Sequence, residues 1–243
     1  MTVPRLLQGA LAHDGARPFV TFYDEHTGER IELSVATTAN WVAKTANMLQ
    51  DSLDAESGSR VRVDLPLHWE TAVWLLACWS VGCSVVTGAS GDADIAVLGP
   101  GVSDDGSAGY DHVVALSLRP LGARFTDPLP AGVVDYNAEV LGHGDHFVAW
   151  DEPTSDTVAE SSAGDEVGHG SLIARAHELI ATEELPAGAR ILVTTRESLL
   201  DALMAALVLG GSVVLVTDSA GAPATPDRLS TLAAAEHVTA RLG

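Results

Sequence analysis

At 243 residues, 47% hydrophobic and 5% aromatic, the chain has the composition of a globular protein with a sizeable core, which excludes wholesale disorder. Thirteen basic against 33 acidic side chains leave a net charge of −20, which repels phosphate backbones and excludes nucleic acid as a natural partner. Lys44 is the sole lysine, so chemistry that needs an ammonium on a phosphate or carbonyl must use Lys44 or not occur.

The N-terminal M-T-V-P-R-L-L-Q-G-A has one Arg and an apolar run broken by Gln8, which does not make a signal peptide. Residues 4–14 read as a short helix with Pro4 in its first turn. Pro18 to Tyr23 and Arg30 to Leu33 read as strands joined by the turn D-E-H-T-G-E, a hairpin. Ser34 is placed to cap a helix carrying Trp41, Ala43, Lys44, Ala46, Asn47 and Leu49.

A pattern then appears that recurs later. From Arg62 the chain reads R-V-D-L-P-L-H-W-E-T-A-V-W-L-L-A-C-W-S-V-G-C-S-V-V, and from Arg190 R-I-L-V-T-T-R-E-S-L-L-D-A-L-M-A-A-L-V-L-G-G-S-V-V. At a constant offset of 128, without gaps, Arg62 falls on Arg190, Gly82 on Gly210 and Ser84 on Ser212. Each copy is a short apolar strand, an apolar helix, a glycine suited to a left-handed C-cap, and a β-branched strand. Two such units predict an α/β fold of two similar strand–helix–strand halves, with mainly parallel sheets flanked by helices. Cys78 and Cys83 lie in the apolar run, offer neither a disulfide framework nor zinc spacing, and read as small buried hydrophobes. No charged residue occurs from Thr71 to Gly91, enough for a membrane span on length alone. Gly82 and the following C-S-V-V-T-G divide that window into helix, turn and strand, so no membrane span and a cytoplasmic protein are expected.

Asp94 to Leu98 and Val113 to Leu118 read as further strands, separated by the Gly/Ser/Asp-rich loop Gly99 to Gly109. Pro120 to Gly132 holds three prolines and reads as an extended connector, dividing one domain of residues 1–243 into halves of about 1–132 and 133–243. Residues 133–147 have no clear period. Pro153 to Gly170 reads as a polar loop, followed by a helix capped by Ser171 that runs to about Glu183; the tail from Pro226 suits a last helix.

Few residues invite chemistry. G-P-G at Gly99–Gly101 follows a strand, as phosphate turns do, but lacks the G-x-G-x-x-G spacing and reads as a plain loop. His143-Gly-Asp-His146 has no second cluster to complete a metal site. Ser198 and Ser212 sit in no nucleophile elbow, and no catalytic or metal residue is assigned. The hydroxyls of Thr154, Ser155, Thr157, Ser161 and Ser162 could wrap a phosphate through the backbone, but Asp151, Glu152, Asp156, Glu160, Asp165 and Glu166 surround them with no basic residue. A solvated acidic loop fits these residues better than a phosphate site.

The stretches R-P-F-V-T-F-Y-D, G-E-R-I-E-L-S and R-V-R-V-D-L-P…A-V-W-L-L-A-C-W-S-V-G-C-S-V-V resemble the beginning of adenylate-forming enzymes: acyl-CoA synthetases, luciferases and peptide-synthetase adenylation domains. V-V-A-L-S-L-R-P-L-G-A-R-F from Val113 is similar to a short actinobacterial family with distant AMP-binding likeness. The resemblance implies the N-terminal fold of those enzymes and ATP or AMP as a ligand. It makes Thr154, Ser155 and Thr157 a degenerate remnant of the phosphate loop T-S-G-T-T-G-x-P-K-G, with Asp156 in a glycine's place and no lysine following; Val167, His169 and Leu172 resemble the segment after that loop. Because the chain stops at Gly243, before that family's adenine and ribose motifs and its mobile C-terminal domain, the expectation is a truncated, catalytically incompetent relative. It would bind a ligand or a protein, with a homo-oligomer or protein partner covering the surface that the missing domains would contact. The alternative is an active nucleotide- or acyl-CoA-dependent ligase completed by a partner chain.

Overall fold

The computed structural model describes residues 1–87, 92–103, 108–162, 164–221 and 224–242; Asp104–Ser107 of the Gly/Ser/Asp-rich loop, Gly88–Gly91, Ala163 and Gly243 lie outside the described residues. Helix α1 (Val3–Asp14) starts one residue before Pro4. Strands β1 (Pro18–Asp24) and β2 (Glu29–Ser34) form the expected antiparallel hairpin. Its turn closes through the Asp24 carboxylate, which accepts from His26 N at 3.0 Å and the Thr27 hydroxyl at 2.9 Å, and through Gly28 at φ 74°. Ser34 caps α2 (Val35–Asn47), its Oγ accepting from Thr37 N at 3.1 Å. A π-type turn, Met48–Ser52, extends α2.

There follow β3 (Arg60–Asp64), α3 (Trp69–Val81), β4 (Ser84–Val86), β5 (Ile95–Leu98), β6 (His112–Ala115), β7 (Val133–Asp135) and the short α4 (Tyr136–Glu139). The chain ends with β8 (Val158–Ser162), β9 (Asp165–Gly168), α5 (His169–Thr182), β10 (Arg190–Val193), α6 (Leu199–Leu209), β11 (Ser212–Thr217), α7 (Pro226–Ala235) and β12 (Ala240–Leu242). One sheet has the order β7-β6-β5-β3-β4-β8-β9, the other β12-β10-β11-β1-β2. Within each, every pairing is parallel except the terminal hairpin.

Both repeats form strand–helix–strand units with parallel pairing, and their helices end at Gly82 (φ 97°) and Gly210 (φ 64°). The ladder corrects the ungapped alignment. Arg60 lies opposite Ser84, and Arg190 opposite Ser212. The counterpart of Arg190 is therefore Arg60, not Arg62, and the strand offset is 130 (190 − 60) against 128 (212 − 84) after the helix. The likeness also extends further than those two strands. β5 and β12 flank the central strands on the other side, with Ile95 opposite Val61 and Ala240 opposite Ile191. The residue before each flanking strand caps the central one: Arg60 N donates to Asp94 Oδ2 at 2.7 Å, and Arg190 N to Thr239 Oγ1 at 2.9 Å.

Upstream, β1–β2–α2 precedes the first unit as β8–β9–α5 precedes the second. The hairpins are exchanged: β1 pairs with β11, and β4 with β8. Two compact units result, neither a contiguous half: residues 1–4, 40–66 and 73–171, and residues 5–39, 67–72 and 172–243. The connector 120–132 lies inside the first of them.

Every residue of α3 is buried, which explains the uncharged stretch from Thr71 to Val81 as an internal helix. Its 13 residues span about 20 Å against the roughly 30 Å of a bilayer core. Among the described residues no helix is long and apolar enough to cross a membrane. Glu70 sits in the first turn of α3, where the helix dipole favours a carboxylate. The polar loop expected from Pro153 to Gly170 instead contains β8 and β9, with Ser162 opposite Asp165. Helix α5 begins at His169, placing Ser171 inside its first turn rather than at its cap. Strand β6 ends at Ala115, short of Leu118, which has φ 50°.

Candidate functional site

The region around α5 gathers the hydroxyl-rich segments. Its first amides are satisfied by the loop before β8: His169 N donates to Thr157 O at 3.1 Å and Gly170 N to Ser155 O at 2.8 Å. Such close approach favours glycine. A Cβ on Gly168 would stand 3.0 Å from Ser155 O, and one on Gly170 3.3 Å from the same atom. The loop thus turns carbonyls, not N–H groups, toward the helix.

Thr154, Ser155 and Thr157 are brought together but closed on themselves. Thr154 N donates to Thr157 Oγ1 at 3.0 Å, Asp156 N to Thr154 Oγ1 at 3.4 Å, and Thr157 N to Thr154 O at 3.3 Å. Ser155 Oγ donates to Asp156 Oδ1 at 3.2 Å. Asp151 and Asp156 are exposed beside them, and no Lys, Arg or His occurs between residues 151 and 168. Ser161 and Ser162 end β8, where only Ala163 and Gly164 separate Ser162 from Asp165 in the chain.

At the head of α5, His169 is fully buried. Its Nδ1 accepts from Val3 N at 3.4 Å, which puts the ring proton on Nε2, and that atom has no hydrogen-bond partner among the described residues. Burial, aided by the positive N-terminus, pushes this imidazole down to about 4. In the other unit His68 is similar: burial brings it to about 3 against the pull of Asp24, and Nδ1 accepts from Glu70 N at 3.2 Å. Glu70 Oε2 stands 3.5 Å from that nitrogen, but a neutral imidazole makes no ion pair there.

The other candidates are occupied structurally. Lys44 Nζ donates to His143 O, and Asn47 Nδ2 to His146 O at 2.9 Å, so the His143–His146 turn is held by its backbone. Among the described residues no group of three or more His, Cys, Asp or Glu is placed to hold a metal ion. Burial raises both thiols, Cys83 to about 12, and neither is a thiolate at neutral pH. Gly99–Gly101 opens no helix among the described residues. Ser198 shares a hydrogen bond of 2.9 Å with Thr195, and Ser212 accepts from Arg190 Nη1 at 3.1 Å.

One polar cluster escapes sequence reading because its members are scattered along the chain. Glu236 accepts from the Tyr23 hydroxyl, from Arg30 Nη2 at 2.9 Å and from Arg190 Nη2, which also reaches Thr21 Oγ1 at 2.9 Å. Burial opposes ionisation of Glu236, but these donors outweigh it and hold the carboxyl at about 2. The adjoining cleft of about 520 Å³ includes Arg17, Arg190, Ser212 and Thr239. It opens at the amino-terminal ends of β10 and β11, opposite the carboxyl ends where parallel sheets present ligand crevices. The cluster ties the end of α7 to its sheet.

No family model matches the chain. It is 38% identical over 237 residues to a TIGR03089 family protein of Mycobacterium tuberculosis, covering 90% of this chain and 92% of that one. It is 30% identical over 169 residues to an acetyl-coenzyme A synthetase of Streptomyces coelicolor, 65% of this chain but 24% of the synthetase. Among solved structures it is similar to an acyl-CoA synthetase of Brucella canis (TM-score 0.79, 16% identity, 99% of this chain and 47% of that one). An acetoacetyl-CoA synthetase from Streptomyces lividans is similar to the same degree (TM-score 0.78, 19% identity, 99% and 42%). The chain therefore spans about half the length of the solved synthetases whose fold it shares. With more than a third of its residues shared along nine-tenths of both chains, the protein belongs to the TIGR03089 family and carries the fold of the N-terminal domain of adenylate-forming enzymes.

Proposed function

We propose that the protein is a non-catalytic, cytoplasmic ligand- or protein-binding module built on half of an acyl-CoA synthetase fold. The observation that carries this is how the chain uses its phosphate-loop region. The N–H groups of Thr154, Asp156 and Thr157 close on the loop itself, leaving a polyanion none of those donors. The chain from residue 151 to 168 supplies no Lys, Arg or His beside Asp151, Asp156, Asp165 and Glu166; a carboxylate about 4 Å from a phosphate charge costs roughly 4 kcal/mol in a surface site. The sole lysine is held by a carbonyl elsewhere. ATP and AMP thus fit these residues poorly.

A thermal melt with Mg-ATP, AMP and acyl-CoA tests this. A ligand at about a hundred times its Kd adds roughly 2.7 kcal/mol, a shift of about 5–10 °C for a chain of this length. No shift with ATP or AMP is expected, and a shift with either overturns the reading of the Thr154–Thr157 loop as closed to nucleotide. A shift with acyl-CoA alone identifies a thioester-binding module; none with any ligand directs attention to protein binding. A second reading, a ligase completed by a partner chain, draws support from His169, whose buried Nε2–H lacks a partner among the described residues at the head of α5. Acyl-CoA formation on mixing with a purified partner would establish it.

A further inference from the structure

Lys44, Asn47 and Gln50 stand three residues apart along α2 and its π-type extension, and all three bond to the backbone of one distant segment. Lys44 Nζ donates to His143 O, and Asn47 Nδ2 donates to Gly144 O at 2.8 Å and His146 O at 2.9 Å. Gln50 Nε2 donates to Val148 O at 3.3 Å while its Oε1 accepts from Trp150 N at 3.0 Å. The segment belongs to no sheet, so these side chains do for its backbone what a neighbouring strand would do.

Holding a segment by its backbone frees its side chains to face water. Val148 is 69% exposed and Trp150 64%, with Leu141 close by in sequence at 62%. Three of the six large hydrophobics so exposed among the described residues fall in these ten positions. Scattered apolar residues on a surface need no explanation, but a tryptophan and a valine on a clamped strip form an ordered apolar surface of the kind an interface anchor can cover. The charges nearby in sequence, Glu139, Asp145 and Asp151, are acidic and exposed.

We propose that residues 143–150 form a docking strip for a partner protein's segment that carries basic side chains around an apolar anchor. Val148 and Trp150 receive the anchor, the indole face takes a guanidinium or ammonium, and Asp145 and Asp151 meet the flanking positive charge. The net charge of −20 draws in such a segment and disfavours a second copy of this chain as the occupant. The strip names the partner class for the protein-binding side of the proposed function and rests on that side alone.

The test uses the full chain and an eight-residue Leu–Lys alternating peptide, with Leu–Glu and Ser–Lys peptides as controls, read by calorimetry and by acrylamide quenching of tryptophan emission. The Leu–Lys peptide is expected to bind and shield Trp150, and Trp150→Ala with Val148→Ser to weaken it by about ten-fold or more. Asn47→Ala with Gln50→Ala keeps every charge and apolar side chain but frees the strip, and is also expected to weaken binding. Absence of binding, or equal affinity in native and Trp150→Ala/Val148→Ser proteins, overturns the strip as a site. So does light scattering that shows a dimer in which Trp150 is already shielded. A melt shift with ATP would overturn the phosphate-region proposal and leave the strip standing; failure of the peptide titration would do the reverse.

Discussion

His68 and His169 are sealed from water with Nε2 unpartnered among the described residues, and each has a sign to its pH dependence. Their imidazoles titrate near 6.5 when unfolded but at about 3 and about 4 in the fold, lowered by burial. Between those values and 6.5 the unfolded chain binds more protons, so stability is complete above about 6.5 and is lost as pH falls. The slope is at most about 1.4 kcal/mol per pH unit for each group. Glu236 acts lower down, its contribution fading from about 4.5 toward 2. Urea denaturation at about pH 7.5, 6 and 5 should therefore show a steady loss. His68→Asn, whose amide oxygen can still accept from Glu70 N, should roughly halve the slope. An unchanged profile would mean that protons reach His68 in the folded state.

At the level of elements, the two glycines after α6 should behave differently. Gly210 occupies the left-handed C-cap in open space, so Gly210→Ala should cost about 1 kcal/mol. A Cβ on Gly211 would lie 2.1 Å from Ala189 O, backbone already bonded to Ser212 N, so Gly211→Ala should cost about 3 kcal/mol or more. Equal midpoints in urea would show that the start of β10–β11 can yield.

The hairpin β1–β2, the Ser34 cap and both helix-ending glycines were legible because turn and cap chemistry is local. The hairpin β8–β9 was not, since V-A-E-S-S and D-E-V-G carry too few apolar residues to alternate visibly. The repeat itself was the available signal: a hairpin and helix precede the first unit, so the same should precede the second. Hydrophobicity also hid the true register. A displacement of two residues returns every strand side chain to its own face, so the match at 128 pairs the right faces on the wrong rungs. The hydroxyls of Thr154 to Thr157 were legible as part of a polar loop, but the direction of the Ser155 carbonyl goes with the close approach of Gly168 and Gly170, which that loop's own residues do not announce.

For the whole molecule, the exchanged hairpins mean that neither contiguous half can complete its sheet. Fragments 1–132 and 133–243 should each lack a cooperative melt and regain one on mixing, followed by circular dichroism. Cooperative melting of fragment 1–132 alone would contradict the exchange. The same pairing acts during synthesis. Val20 meets Val213, so a hairpin made within the first 35 residues must wait for a strand nearly two hundred residues later. At about 5–20 residues per second that delay is roughly 10–40 s. Throughout it the nascent chain displays P-F-V-T-F-Y along an open edge, a template for pairing with another chain until β11 emerges to cover it.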